Sequence, residues 1–531
     1  MRVETLIRNG LVLDGSGVQA VPGDVAVDGG KIAAVGDLRG VEARGVIDAA
    51  GRLITPGFLD IHRHGDAALF REGWGEAELK QGLTSVINGN CGLSLAPVSG
   101  PHEEALLQYL RPITGAPPAD WSAPTLEEYF RRAAERLLPL HAGMLAGGGT
   151  LRAAVAGFSS SVLTDGQYRE LHRRMERALS DGALGVSLGL GYAPESSYTT
   201  QQLLRALEPL KDSGTVLTVH MRQEGDGVAD ALREMIAVAR ALRTPVEISH
   251  LKAIGRKNWN RTASELLRLL ADAREEGLDI GCDVYPYTAG STQLIHVLPP
   301  EAQKDGPEAL TERLRDPAAR REMRHRMETG EDFENIVLLA GFANIRVTGL
   351  RTPADREWEG LSLEEIAKRR GEDTFDALFD LLAREHCAPS MIDFITAEGD
   401  IEAIAKAPFC GVISDATYPT EGLLHPRVFG TFARLLETYV KKRGVLTLEQ
   451  AVYKVTRRPA DRFGLRQKGR IEPGADADLL IFDLDRVHEA GTYEHPTRYA
   501  EGMDWVLVSG VPAVCEGELT GAAAGRILRK E

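Results

Sequence analysis

Ile54 to Asp66 reads ITPGFLDIHRHGD. Its short apolar run, Phe58, Leu59 and Ile61 with one acid among them, has the length of a buried strand. It ends in two histidines one residue apart. Alternate residues of a strand share a face, so His62 and His64 point the same way, as a chelating pair must. The pair by itself decides little. Its recurrence decides more: Cys91 follows His62 by 29 residues, His250 follows His220 by 30, and Asp283 follows His250 by 33. Each step is about the length of one strand-helix-strand repeat. The chemistry-bearing residues therefore recur at one phase, the carboxyl end of a strand.

Strand candidates with that phase end in GFLDIHRHGD, LTSVINGNCG, PLHAGMLAGGG, ALGVSLGLGY, TVLTVHMRQEG, PVEISHLKA, LDIGCDVYPY and CGVISDATYP. The segments between them carry helical apolar spacing. In TDGQYRELHRRMERALSDG, Thr164 or Asp165 can cap the start, Leu171, Met175 and Leu179 fall four apart on one face, and Gly182 ends the helix. Eight such units predict an α/β fold built on a (β/α)8 TIM-type barrel, whose active-site face is the carboxyl end of the strands. On that face Cys91 gains His62, His64, His220, His250 and Asp415 as neighbours. Asp283 and Asp415 are 132 residues apart, about a hundred more than one unit needs. An insert is expected at about 292–345, hanging over the barrel mouth, with 346–405 supplying the last regular helices.

The two ends of the chain resemble each other and differ from the middle. VETLIRNGLVLDG, GDVAVDGGKIAAVG and GVIDAAGRLITPG near the start, and GRIEPGADADLLIFDL and DWVLVSGVPAVCEG near the end, are short β-rich pieces punctuated by glycine. The expected organisation is a small β-sandwich domain formed by residues 1–57 and 466–531, flanking a catalytic barrel over 58–465.

Composition excludes several partners. The 531 residues carry 62 basic and 77 acidic side chains, a net charge of −15 without long like-charge runs, which argues against nucleic acid or an anionic membrane. A small-molecule substrate fits better, and a homo-oligomer remains open. No segment has the roughly twenty apolar residues of a membrane span. The start, MRVETLIRNGLVLDG, breaks its apolar run at Asn9, Gly10 and Asp14 before a signal core forms. Five scattered cysteines (91, 282, 387, 410 and 515), with no CxxC, do not form a disulfide framework. A cytoplasmic location with reduced thiols is expected.

Cys91 alone is ambiguous: a buried small hydrophobe, a nucleophile or a metal ligand. Four histidines, a cysteine and an aspartate at strand ends favour the last. Nitrogen, thiolate and carboxylate donors suit Zn²⁺, and one bridging thiolate can serve two metals. Asp66 and Asp283 read as structural hydrogen-bonding groups. LAGGGT (Leu145 to Thr150) lacks the ending of a phosphate-binding P-loop and reads as a tight strand-end loop.

ITPGFLDIHRHGD, NGNCGLSLAP, HMRQEG, ISHLKA, DVYPYTAGST and ISDA followed by HPRVFGTF resemble the amidohydrolase superfamily, and within it the N-acyl-D-amino-acid deacylases (D-aminoacylases). The resemblance covers nearly the whole chain. It implies that Cys91, His220 and His250 hold a tightly bound zinc, and that His62 and His64 hold a weaker second metal sharing Cys91. It implies metal-assisted amide hydrolysis, with Asp415 taking the proton of the attacking water and passing it to the leaving amine. Lys252, Tyr285, Ser291 and Arg427 would hold the substrate carboxylate, and Tyr192 would contact the substrate or the developing oxyanion.

The chain departs from the family pattern in SDATYPTEGLLHPR, where Ala416 replaces a usual glycine and the loop before HPR differs. That loop adjoins the substrate pocket, which leaves the preferred side chain open. ALGVSLGLGY has no lysine, whereas hydantoinase-like and dihydroorotase-like relatives bridge two metals there with a carboxylated lysine. This weighs against a cyclic-amide hydrolase. An N-acyl-D-peptide hydrolase stays in view, and a non-catalytic binding homologue is disfavoured because no expected ligand is lost.

Overall fold

The first five strands among the described residues are β1 (Arg2–Val12), β2 (Val21–Asp28), β3 (Lys31–Gly36), β4 (Glu42–Asp48) and β5 (Leu53–Pro56). The computed structural model describes residues 2–159, 162–330 and 332–530. The next strands are β6 (Phe58–Asp60), β7 (Leu83–Asn88), β8 (His141–Met144), β9 (Ala146–Gly147), β10 (Gly185–Gly189), β11 (Val216–His220), β12 (Val246–Ile248) and β13 (Ile280–Val284). β6, β7 and β8 pair in parallel, as do β9 to β13 and a later strand, β17 (Cys410–Val412). β8 and β9 are one strand interrupted at Leu145, which joins the two arrays. The ring closes between β17 and β6, where His64 N–H donates to the Ala416 carbonyl at 2.9 Å and Asp415 N–H to the His62 carbonyl at 3.0 Å. The result is the expected parallel barrel. Its strands are buried on both faces, as their near-continuous apolar sequences require.

Helices cover the barrel. Asp165–Ser180 begins at Thr164, whose side chain accepts from the Gln167 backbone while Gln167 returns to the Thr164 backbone. Its buried face is Tyr168, Leu171, Met175 and Ala178. Leu179, expected on that face, lies at its rim, because a 3.6-residue turn brings position 178 round to the sheet. Burying Leu171 and Met175 stabilises this contact by about 1.5–3 kcal/mol each. Among the described residues no helix is long and apolar enough to cross a membrane.

The chain ends meet in one sheet. β18 (Leu479–Phe482), β19 (Met503–Val508), β20 (Val511–Cys515) and β21 (Glu518–Leu519) join β5, giving the order β21-β20-β19-β18-β5-β1-β2-β3, with β4 also on β1. β1 is long enough to serve two partners on one edge, β4 along Arg2 to Arg8 and β5 at Leu11 and Val12. The sheet therefore forks. Its two arms enclose Ile7, Val25, Ile54, Leu479, Ile481 and Leu507. A side chain at Gly10 would collide with Ile54, so glycine is required where β1 changes partner.

The excursion between β13 and β17 is larger than the 292–345 segment expected. It contains β14 (Ala289–Gln293), β15 (Ile345–Thr348) and β16 (Ser390–Phe394), an antiparallel sheet in the order β14-β16-β15, together with several helices. Residues 346–405 thus supply two strands as well as helices. β14 pairs with a strand about a hundred residues away, and no local periodicity announces such a partner.

Buried charges lock the barrel to the terminal sheet. Asp478, just before β18, accepts from His141 Nε2 at 3.0 Å, Lys468 Nζ at 2.5 Å and Ser509 N–H at 2.8 Å. His141 Nδ1 in turn accepts the Arg526 N–H at 3.1 Å, so one neutral ring ties β8 to the chain's last residues. Burial pushes the Asp478 carboxyl up, but Lys468 and His141 outweigh it and hold it well below the usual range. That stabilisation is complete above about pH 4 and is lost as the pH falls below it. Asp478→Ala leaves His141 Nε2 and the Ser509 N–H without their acceptor and Lys468 with Asp476 alone, and is expected to cost about 1–3 kcal/mol at pH 7, read as a lower urea midpoint. An unchanged midpoint would show that the cluster does not couple the two units.

Candidate active site

Six strand ends converge on one cavity. β6 runs into His62 and His64, β7 into Cys91, β11 ends on His220, β12 leads to His250, β13 contains Asp283, and β17 leads to Asp415. All of these side chains are buried. Three of them sit where the backbone has turned into the left-handed region: Cys91 at φ 53°, His250 at 38° and Asp415 at 51°. Each such residue costs about 1–3 kcal/mol and persists only where its surroundings impose it. The surroundings are identifiable. Asn90 Nδ2 donates to the Ile61 and Ile87 carbonyls, and Ser187 Oγ accepts the Gly92 N–H at 3.0 Å. Asp283 accepts the His250 N–H, and Ser414 Oγ, anchored on Asp60, accepts the Ala416 N–H at 3.1 Å. Gly92 has no room for a side chain against Glu195 and Gly189, which explains the glycine after the cysteine.

Among the described residues the donors fall into three groups, two of which share one sulfur; the third is His220, His296 and Glu334. Ligand atoms of His62, His64, Cys91 and Asp415 lie within 4.8 Å of one another, and so do those of Cys91, His220 and His250. Cys91 Sγ stands 3.3 Å from His62 Nε2 and 3.4 Å from His250 Nε2, and His220 Nδ1 is 3.1 Å from His250 Nε2. Asp415 Oδ1 lies 3.4 Å from His62 Nε2 and 3.3 Å from His64 Nε2. Burial pushes the Cys91 thiol up, but the His62, His250 and His220 rings hold it well below its usual range. Burial and Lys252 push His250 down, yet Glu224 and Cys91 raise it to about 9. A buried cluster that concentrates protons in this way suits a dication, and its nitrogen, thiolate and carboxylate donors match zinc.

The remaining expected residues lie close by. Lys252 Nζ is 2.6 Å from Glu224 Oε2, and Lys252, Tyr285, Ser291 and Tyr192 all line the cavity. Ser291 Oγ is 3.2 Å from Thr417 Oγ1, and the Tyr192 hydroxyl is 2.8 Å from Thr292 Oγ1 with its ring against His220. Arg427 stands behind the cavity. It is fully buried, with Nη1 3.0 Å from Asp415 Oδ2 and Nη2 donating to the Ser291 carbonyl at 3.0 Å. Burial raises the Asp415 carboxyl, but Arg427, His62 and His64 outweigh it, so it is ionised well below neutral pH. Asp66 accepts the Leu95 N–H at 3.0 Å and Asp283 holds the His250 amide, as structural groups do.

Sequence reading missed Glu224, His296, Glu334 and Asp393, which also line the cavity. Glu224 Oε1 is 2.9 Å from His250 Nδ1, the place of a carboxylate that orients a metal-binding imidazole. Its place four residues after His220 was a readable signal. The other three come from the excursion, far from any ligand in sequence.

A closed (β/α)8 barrel with these donors at its carboxyl end defines the class as a metal-centred enzyme barrel. The amidohydrolase family model matches residues 45–514, so the chain belongs to that family. It is 32% identical to a D-aminoacylase of Alcaligenes xylosoxydans xylosoxydans, covering 99% of this chain and 98% of the relative. It is 34% identical to an N-acyl-D-glutamate deacylase of the same organism, covering 100% and 97%. Among solved structures, an N-acyl-D-glutamate deacylase from Bordetella bronchiseptica, complexed with zinc and a phosphonate mimic of the tetrahedral intermediate, superposes with a TM-score of 0.83. It is 30% identical and the match covers both chains completely.

Removing a carboxylate behind a ligand histidine weakens metal affinity by about 10–100-fold. Glu224→Gln is therefore expected to lose metal to a competing chelator at that lower threshold. Unchanged affinity would assign Glu224 to Lys252 alone.

Proposed function

We propose that this chain hydrolyses the amide bond of N-acyl-D-amino acids, releasing a D-amino acid and a carboxylate, at a zinc centre. The observation that carries this reading is the single thiolate, Cys91, shared by two donor groups, in a chain alike over its full length to deacylases of that class. β10 carries no lysine to bridge two metals, which disfavours the cyclic-amide alternative.

Cys91, His220 and His250 would hold the tight zinc, and His62 and His64 a second, weaker one. Bound there, zinc supplies a positive charge that polarises the scissile carbonyl and acidifies water. Asp415 is the proton carrier: ionised and beside the donor groups, it accepts a proton from the attacking water. As the water oxygen adds to the carbonyl carbon and the C–N bond breaks, Asp415 returns that proton to the amine nitrogen. Lys252, Tyr285 and Ser291 orient the substrate carboxylate, and Tyr192 packs beside the reacting centre. Arg427, already on Asp415, keeps that carboxylate charged and aimed. The partner in this reading is the small-molecule substrate, and the workplace is the cytoplasm, where the thiol of Cys91 stays reduced; all five cysteines are free.

Zinc-loaded protein offered paired N-acetyl-D- and N-acetyl-L-amino acids is expected to release amine from the D-isomers only. Turnover confined to L-isomers would overturn the reading. Asp415→Asn is expected to lower kcat by about 10²–10⁴-fold with metal content unchanged; a near wild-type rate would remove Asp415 from the chemistry. Arg427→Lys is expected to lower kcat more than it raises KM, since a lysine cannot reproduce the fork that spans Asp415 and Ser291. The opposite split would place Arg427 on the substrate carboxylate.

A further inference from the structure

The proposed reaction uses the barrel side of the cavity and leaves unexplained the acids that the excursion places on its other wall. Glu334 is 7% exposed. Its Oε1 accepts the Glu224 N–H at 2.6 Å, while its Oε2 is buried and has no hydrogen-bond donor among the described residues. The nearest cationic candidate, His296 Nε2, stands 3.5 Å away without hydrogen-bond geometry. Asp393 on β16 is 3% exposed, and its Oδ1 is equally without a donor. A Cβ at Gly290 would lie 2.9 Å from that oxygen, so the glycine keeps it accessible from the cavity. Leaving a buried carboxylate oxygen unpaired is costly, and native structures rarely do so without a use for it.

The cations of the site are committed elsewhere. Lys252, paired with Glu224 at 2.6 Å, serves the substrate's α-carboxylate, and Arg427 is paired with Asp415 at 3.0 Å, so neither is free for a side-chain carboxylate as well. Ile113, Ile254, Ile336 and Ile395 supply the aliphatic part of the wall, beside Thr292, His296 and Thr417. Apolar walls with acceptor oxygens among them complement a methylene stem that carries a cationic head. The same walls repel a side-chain carboxylate.

We propose that this chain selects N-acyl-D-amino acids with a cationic side chain, lysine-like or arginine-like, and that Glu334, assisted by Asp393, receives the ammonium or guanidinium. This inference rests on the deacylase reading and names its substrate class. It sets this chain apart from the relatives named for D-glutamate, because the wall that would face the side chain is acidic.

The deciding comparison is N-acetyl-D-lysine against N-acetyl-D-norleucine, which share the stem and differ by the ammonium group, with N-acetyl-D-glutamate as the acidic control. A pocket built to pair a substrate N–H group rejects the analogue lacking it by large factors. Zinc-loaded enzyme is expected to show kcat/KM for D-lysine at least about 100-fold above D-norleucine, and D-glutamate lowest. Glu334→Gln retains an acceptor for the Glu224 amide and removes the charge. It is expected to shrink the lysine-to-norleucine ratio at least about tenfold, mainly through KM for lysine. Asp393→Asn, a second route to the same ratio, is expected to lower it in the same direction. Turnover of D-norleucine or D-glutamate at or above D-lysine would overturn the inference and leave the deacylase reading standing. An intact ratio in both variants would overturn the roles of Glu334 and Asp393. No turnover of any D-substrate would remove the deacylase reading, and the inference with it.

Discussion

The structure depends on a backbone held against its own preference at three strand ends. Cys91, His250 and Asp415 all adopt positive φ, each at the place where a strand gives way to the active-site face. The cost is met by hydrogen bonds from neighbouring strands: Ser187 and Asn90 around Cys91, Asp283 under His250, and Ser414 with Asp60 beside Asp415. The distortion turns these side chains inward over the barrel mouth, where a regular strand would aim them into the barrel wall. Asp415 carries a second burden, because its own N–H bonds to the His62 carbonyl and helps close the barrel. Closure of the fold and placement of the Asp415 carboxylate are one interaction.

Around that frame the charges are arranged in relays. Arg427 bears on Asp415, Glu224 on both His250 and Lys252, and Asp478 on His141 and Lys468 at the opposite junction. Each of these buried charges has a counter-charge, as the low dielectric of the interior demands. Glu334, with only His296 at 3.5 Å, and Asp393 depart from the pattern, and both lie on the wall contributed by the excursion between β13 and β17. The barrel side of the cavity thus pairs its acids with cations at 2.6–3.0 Å, while the excursion side presents acceptors to whatever enters.

The barrel was legible because its signals are local. Each strand-helix unit repeats within about thirty residues, and the chemistry-bearing residues recur at one phase of that repeat, so His62, His64, Cys91, His220, His250 and Asp415 could be placed on a common face before any contact was known. The Thr164 cap was legible for the same reason. The three-stranded antiparallel sheet was not, since β14 finds β16 across about a hundred residues and short strands carry no mark of their partner. Arg427 shows the intermediate case: its importance was readable from the motif, while its attachment to Asp415 appears only in space.

The sequence by itself determined the chemical inventory: imidazole, thiolate and carboxylate at a repeating phase, in a chain whose pattern demands parallel strands wrapped by helices. Those properties follow from residue type and short-range spacing, which the chain carries wherever it folds. Only the tertiary structure decided which atoms share Cys91, which carboxylate stands behind His250, and that His296, Glu334 and Asp393 meet the histidine and cysteine cluster across one cavity. Such meetings depend on how the excursion packs over the barrel. That packing is set by many weak contacts between residues distant in sequence, and no single stretch encodes it.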